Sequence, residues 1–165
     1  PDPRLRKTAA SIETFDNELR TLADDMLETM YDAPGIGLAA TQIGVMRRLF
    51  VMDCAPKDED PTPMAFVNPE ILWLSEDTET DEEGCLSIPE VYDDVTRPAR
   101  VGLRWLTLEG TAREGEFDAR EAVCVQHEID HLNGKLFIDY FSPMKRQMIT
   151  RKMVKLKRER AREVG

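Results

Sequence analysis

The sequence has few of the residues that hold together small secreted or membrane-embedded folds. Its three cysteines are an odd number without regular spacing, so a disulfide framework is not expected and a reducing compartment is. No apolar run approaches the roughly 18 residues that a bilayer-spanning helix needs, which excludes a helical membrane span. Positive charge is scarce: 22 Lys or Arg stand against 32 Asp or Glu, a net charge of -10. That balance argues against the body of the protein as a nucleic-acid binder, and no DNA or membrane partner is expected. The chain opens at Pro1 with neither an initiator Met nor a charged-then-apolar leader, so no secretory signal is read. Histidine is as scarce as tryptophan, with two copies, His127 and His131, four residues apart.

What is present is the composition of a globular protein, 41% hydrophobic and 33% charged over 165 residues, a length that fits one domain spanning residues 1–165. From Asp16, the residues Leu19, Leu22, Ala23, Met26 and Met30 recur at helical spacing, and Pro34-Gly35 ends the pattern. Small residues fill 35–44, and 48–54 reads as a strand. Residues 57–63 read as a polar loop, 64–74 as a strand pair broken near Asn68-Pro69, and 75–83 as an acidic solvated turn. Residues 100–110 alternate as a half-buried strand whose Glu109-Gly110 opens a hairpin turn. A second helix is expected with Asp118 as N-cap, Glu121 three residues on, and Ala122, Val125, Ile129 and Leu132 as its apolar stripe, closed by Asn133-Gly134. A third opens at Ser142-Pro143 and runs to the C-terminus. The order of elements predicts an α+β fold, with antiparallel or mixed sheets around a central metal-binding helix and with N-terminal and C-terminal helices.

Residues 127–131 read His-Glu-Ile-Asp-His, and imidazoles at i and i+4 of a helix lie one turn apart on one face, close enough to share an ion. Glu128, beside the first of them, is placed to act as general base on an activated water. The competing reading is an amphipathic helix with two solvated histidines. A catalytic site needs a third ligand, and no further His exists. Cys85 is the candidate soft donor, in a loop beside Gly84, whose missing side chain lets a substrate backbone approach. Two imidazoles and a thiolate leave one tetrahedral position open. Taken singly, Cys85 reads as a small buried hydrophobe before it reads as a ligand, and Cys54 and Cys124 are assigned to that reading.

Three segments then stand together in order: GIGLAATQIG with Gly37 and Gln42, EGCLS with Cys85, and QHEIDHL with both histidines. They resemble the signature motifs of the peptide deformylases, and the resemblance covers essentially the whole chain. It implies a bacterial or organellar metallohydrolase that removes the N-formyl group from the initiator methionine of nascent polypeptides and releases formate. It implies Cys85, His127 and His131 as ligands of one divalent ion, iron(II) in the cell, with zinc, nickel or cobalt as ions that purified protein can carry. A metal-activated hydroxide then attacks the formyl carbon, Glu128 carries the proton, and Gln42 and the Leu86 N–H stabilise the oxyanion. The segment matching Ile36 and Gly37 lines the substrate cleft. The expected partner is an N-formylmethionyl peptide, and the expected location is the bacterial cytoplasm or an organelle. Two departures are visible. Val91-Tyr92-Asp93 stands where the family commonly carries Arg, and Asp81 stands where some relatives place an apolar residue. A zinc peptidase built on the same helix, and a deformylase-like binding protein without activity, are the other readings.

The basic residues are concentrated at the end. Residues 144–165 hold nine Lys or Arg and two Glu, a charge of +7, which leaves -17 on the rest of the chain. A basic helix over 142–165 reads first as a solvated face and second as a contact to ribosomal RNA phosphates.

Overall fold

A computed structural model describes residues 2–164. Pro1 of the opening segment and Gly165 of the expected basic helix lie outside the described residues. In chain order the elements are α1 (Asn17–Asp32), β1 (Gly37–Ala39), β2 (Leu49–Met52), β3 (Met64–Leu74), β4 (Thr78–Cys85), β5 (Ile88–Pro98), β6 (Arg100–Leu106), β7 (Ala112–Asp118), α2 (Ala119–Leu132) and α3 (Pro143–Val164). The α+β expectation holds. All pairings between strands are antiparallel, and the parallel contact is an isolated bridge between Ala10 and Arg47.

Helix α1 forms where its apolar periodicity predicts. Asp16 accepts a hydrogen bond from the Leu19 N–H at 3.0 Å, and Leu19, Ala23, Met26 and Met30 are buried along one face. That face packs on Leu38, Leu49 and Val51 of the five-stranded sheet β1-β2-β3-β6-β7. The same sheet packs Phe50, Phe66, Trp105 and Phe117 against Val125, Ile129 and Leu132 of α2, with Phe50 and Phe66 stacked at 4.4 Å. Burial of each such aliphatic side chain favours folding by about 1.5–3 kcal/mol, so α2 is seated by its apolar stripe before any chemistry on its other face is considered.

The structure corrects the sequence reading at four places. Residues 64–74 are one strand, not two. The Asn68-Pro69 step is a bulge in which Asn68 takes a φ of 48°, which Asn tolerates, and Pro69 sits where a ladder N–H is dispensable. The Asn68 amide bonds the Ile12 backbone in both directions at 2.8 Å, which ties the N-terminal segment to the sheet. The acidic stretch 75–83 is mostly strand β4, paired with β5 in a separate two-stranded sheet. Its side chains alternate into solvent on both faces until Glu83, so no hydrophobic period marked it. Cys85 therefore ends a strand rather than sitting in a free loop, and a register shift between Gly84 and Cys85 turns the thiol inward. Asp118 stands at the N-cap of α2 with extended backbone, but its side chain makes no capping hydrogen bond.

Asn133 and Gly134 close α2 as expected. Gly134 takes a φ of 74°, and a Cβ there would meet the Arg6 carbonyl oxygen at 2.4 Å, so only glycine fits. Helix α3 opens with the Lys145 N–H donating to Ser142 Oγ at 3.2 Å and Pro143 in first position. It lies over β5, where Ile149 packs with Ile88, Val91 and Val95.

Candidate metal centre

Helix α2 is buried on nearly every side, so its polar face needs partners. His127, Glu128 and His131 occupy that face, with the two imidazole Nε2 atoms 3.2 Å apart. Cys85 Sγ lies 3.2 Å from His131 Nε2, and the donor atoms of Cys85, His127 and His131 all fall within 4.8 Å of one another. A tetrahedral ion with bonds of about 2.1 Å to nitrogen and 2.3 Å to sulfur spreads its ligand atoms about 3.4–3.6 Å apart. The observed spacing fits that sphere. Burial pushes His127 down, but its hydrogen bonds to Cys85 and Glu83 raise it to about 10, whereas burial and the neighbouring His127 charge push His131 down to about 3.

A second layer orients the donors. His127 Nδ1 faces Glu83 Oε1 at 2.9 Å, which leaves Nε2 for the centre. Arg97 grips both Glu83 oxygens, at 2.7 and 2.9 Å, and reaches Asp130 at 2.8 Å and the Tyr140 hydroxyl at 3.1 Å. Burial pushes the Glu83 carboxyl up, yet the guanidinium and His127 outweigh it and hold it below the usual range. Glu83, Arg97 and His127 are all buried. Sequence reasoning named neither Glu83 nor Arg97. The available signal was a second acid directly before Gly84-Cys85, hidden in an acidic run.

Glu128 is different, because Oε2 is buried without a partner and Oε1 lies 3.9 Å from His127 Nε2. Burial pushes its carboxyl up to about 7, against the opposing pull of His127. Gln42 is held in one orientation: Oε1 accepts the Ala39 N–H at 2.9 Å, so Nε2 points at Ser87 Oγ at 3.0 Å and Cys85 Sγ at 3.4 Å. Leu86 follows Cys85 in the β4–β5 turn, and its side chain lies over Gly35. These groups line a cleft of about 910 Å³. One wall is β1, the edge strand of the large sheet, preceded by Ile36. Gly37 is a glycine because a Cβ there would stand 2.7 Å from Cys124 Sγ and 3.2 Å from Glu128 Cγ. At Gly84 the free space is taken by the Tyr92 ring, whose atoms would lie 2.4 Å from a Cβ. Tyr92 and Asp81, the two departures seen in the sequence, both line the cleft. Cys124 is buried as expected, and Cys54 is half-buried against the same core.

A His-Glu-x-x-His helix completed by an upstream thiolate, set beside an open sheet edge on an α+β scaffold, defines a metallohydrolase of the single-ion kind. The family model for polypeptide deformylase matches residues 1–147. The chain is 56% identical over 155 residues to a peptide deformylase of Phenylobacterium zucineum, covering 94% of this chain and 92% of that protein, and 53% identical over 163 residues to one of Acinetobacter baumannii, covering 99% and 92%. The crystal structure of a peptide deformylase from Legionella pneumophila superposes with a TM-score of 0.89 at 49% identity, covering 98% of this chain and 94% of that one. That of Ehrlichia chaffeensis in complex with actinonin gives 0.91 at 38% identity, with 96% and 94% covered. The chain belongs to the polypeptide deformylase family.

Proposed function

We propose that Cys85, His127 and His131 hold one divalent ion in an enzyme that hydrolyses the N-formyl amide of nascent polypeptides, with Glu128 as its acid and base. When bound, the ion supplies Lewis-acid polarisation and brings the pKa of a water near neutrality. Glu128 takes a proton from that water at its unpartnered Oε2 and returns it to the leaving methionine amine, so formamide and water become formate and a free amine. Gln42 Nε2 and the Leu86 N–H stabilise the oxyanion, each worth about 2.7–4 kcal/mol in comparable sites. Ile36 and Gly37 pair with the extended substrate at the β1 edge, and Gly84 lines the facing wall.

The convergence of the three donor atoms supports this reading. A peptidase built on the same helix takes its third ligand downstream, whereas the Cys85 thiolate fills that place here. The test is formate release from formyl-Met-Ala-Ser under anaerobic conditions with iron(II) supplied, alongside metal analysis. Cys85→Ala is expected to lose both metal and activity. Retention of both would overturn the ligand set.

We assign iron(II) as the native ion on the likeness to the family, because thiolate and imidazole donors suit iron(II) and zinc alike and affinity alone favours zinc. Anaerobic reconstitution with each metal checks this, with the iron(II) enzyme expected to turn over fastest. No helix of the described residues is long and apolar enough to cross a membrane. The bacterial relatives named above support a place in the bacterial cytoplasm. Helix α3 supports docking on ribosomal RNA, because eight of its nine Lys and Arg side chains are exposed while the rest of the chain is acidic. Reversing Lys155, Lys157 and Arg158 to Glu is expected to weaken binding to ribosomes and flatten its salt dependence. Unchanged binding would overturn the docking.

A further inference from the structure

Ile36 lies between two glycines, Gly35 and Gly37, on the wall of the cleft. Such a segment has little stiffness of its own, so its peptide groups face one way only when something outside it holds them. Strand β1 begins at Gly37 and β2 ends at Met52, and the ladder between them stops at the Gly37–Met52 pair. One hydrogen bond lies beyond it, from the Asp53 N–H to the Ile36 carbonyl at 2.9 Å. The Cys124 thiol meets the same carbonyl from the α2 side at 3.8 Å. Bonded and unbonded residues alternate along an antiparallel ladder, so with Ile36 bonded toward β2 the N–H and C=O of Gly37 face the open edge. The Ile36 carbonyl and the Gly37 N–H also belong to one planar trans peptide and point in opposite directions. Holding that carbonyl therefore aims the edge.

Asp53 is in turn held by its side chain. Its Oδ2 accepts the Tyr31 hydroxyl at 2.5 Å, and Oδ1 accepts the Ala55 N–H at 3.0 Å and the Thr62 hydroxyl at 3.5 Å. Asp53 is buried, and although burial pushes its carboxyl up, these bonds outweigh it and keep the carboxyl below the usual range. An O–H donor this close to a carboxylate makes a strong, charge-assisted bond. Tyr31 stands in the last turn of α1, and the Met30 carbonyl beside it accepts the Gly35 N–H at 2.7 Å. A circuit closes from the helix end through Asp53, Ile36 and Gly35 back to the helix end. Both Tyr31 and Asp53 lie outside the lining of the cleft, so neither acts on a substrate directly. We infer that Tyr31 and Asp53 are positioning residues, which together lock the Ile36–Gly37 peptide in the orientation that offers Gly37 to the extended substrate. Tyr31 fixes the Asp53 carboxylate, and Asp53 fixes the Ile36 carbonyl through its own backbone. The inference rests on the reading of the β1 edge as the seat of the peptide.

The test uses the metal-loaded enzyme and measures kcat and KM for formate release from formyl-Met-Ala-Ser, beside residue-resolved amide hydrogen exchange. Tyr31→Phe removes one hydroxyl from a ring that is 44% exposed and is expected to fold as the wild type does. It should raise KM about tenfold, the equivalent of one charge-assisted hydrogen bond, with kcat within about twofold. The Asp53 amide should exchange about tenfold faster, while amides in the middle of α2 exchange as before. Asp53→Ala should raise KM at least as much, and adding Tyr31→Phe to it should change nothing further, because both act through one carboxylate. Asp53→Asn, whose amide can still bond Ala55 and the Tyr31 oxygen, should recover most of the loss. A merely structural role leaves fewer active molecules, so a lower kcat at unchanged KM in Tyr31→Phe overturns the inference. Wild-type KM and wild-type exchange at Asp53 in that variant overturn it too, whatever becomes of the Asp53 variants. Faster exchange with KM unchanged overturns the link to substrate. Wild-type enzyme that releases no formate defeats the proposed function instead, and exchange at Asp53 still decides whether the pair holds the peptide.

Discussion

Helices α2 and α3 look alike as sequence and behave as opposites. Both mix charged residues with apolar ones at helical spacing, yet the 14-residue α2 buries nine side chains and the 22-residue α3 buries Ile149. Length therefore does not earn burial. What separates them is whether polar groups find partners once water is removed. On α2 the chain His127–Glu83–Arg97–Asp130–Tyr140 pairs nearly every buried polar atom, and the exceptions, Glu128 Oε2 and His131 Nδ1, belong to the metal site itself. On α3 eight of the nine cations are exposed, where they cost little and are available to an anionic surface, and only Arg146 is half-buried, with its Nε unpartnered.

The comparison breaks if the polar face of α2 proves dispensable. Glu128→Ala is expected to lower formate release by ~10³-fold while metal content stays, because acid–base catalysis contributes about 10²–10⁴. Metal analysis beside the kinetic assay checks it. Arg97→Ala leaves the buried Glu83 carboxylate without its main partner and is expected to destabilise the fold by about 3–5 kcal/mol in urea titrations. It should also weaken metal affinity by about 10–100-fold, since Glu83, which orients His127, loses its anchor. On the apolar side, Leu132→Ala should cost about 2–5 kcal/mol. The matching change on α3, Leu156→Ala, should stay within about 0.5 kcal/mol, because that side chain is only half-buried.

A further small effect concerns how the two helices are joined. Burial pushes the Asp139 carboxyl up, but Arg6 at 2.5 Å and the Leu136 N–H outweigh it and hold it below the usual range. A depressed carboxyl stabilises the fold above its unfolded value of about 3.9 and loses that contribution as pH falls further. Asp139→Asn should therefore melt slightly below the wild type at pH 7, and the two melting curves should converge as acid protonates Asp139. Arg6 is largely exposed, so the difference at neutral pH is about 1 kcal/mol or less.

Periodicity made α1 and the apolar stripe of α2 legible, and the spacing of two scarce histidines made half the metal site legible. Strand β4 was hidden, because an acidic stretch with neither face buried carries no alternating signal and is strand only through its pairing with β5. The orienting pair Glu83 and Arg97 was hidden for a related reason. Each looks like an ordinary surface charge, and their meeting under α2 depends on how the small sheet folds onto the helix. Gly84 was read as room for a substrate, whereas the adjacent strand fills that room with Tyr92.

Residues 127–131 carry their own geometry, since a helical turn places i and i+4 side by side wherever the helix is put. The sequence alone thus determined which donors exist and that two of them face the same way. That a sulfur 46 residues upstream of His131 completes the set was decided by tertiary structure, through the packing of the β4–β5 sheet against α2. The reason is that local order follows from backbone geometry, whereas placing charge inside a protein is stable only when separate parts of the chain arrive with matching partners.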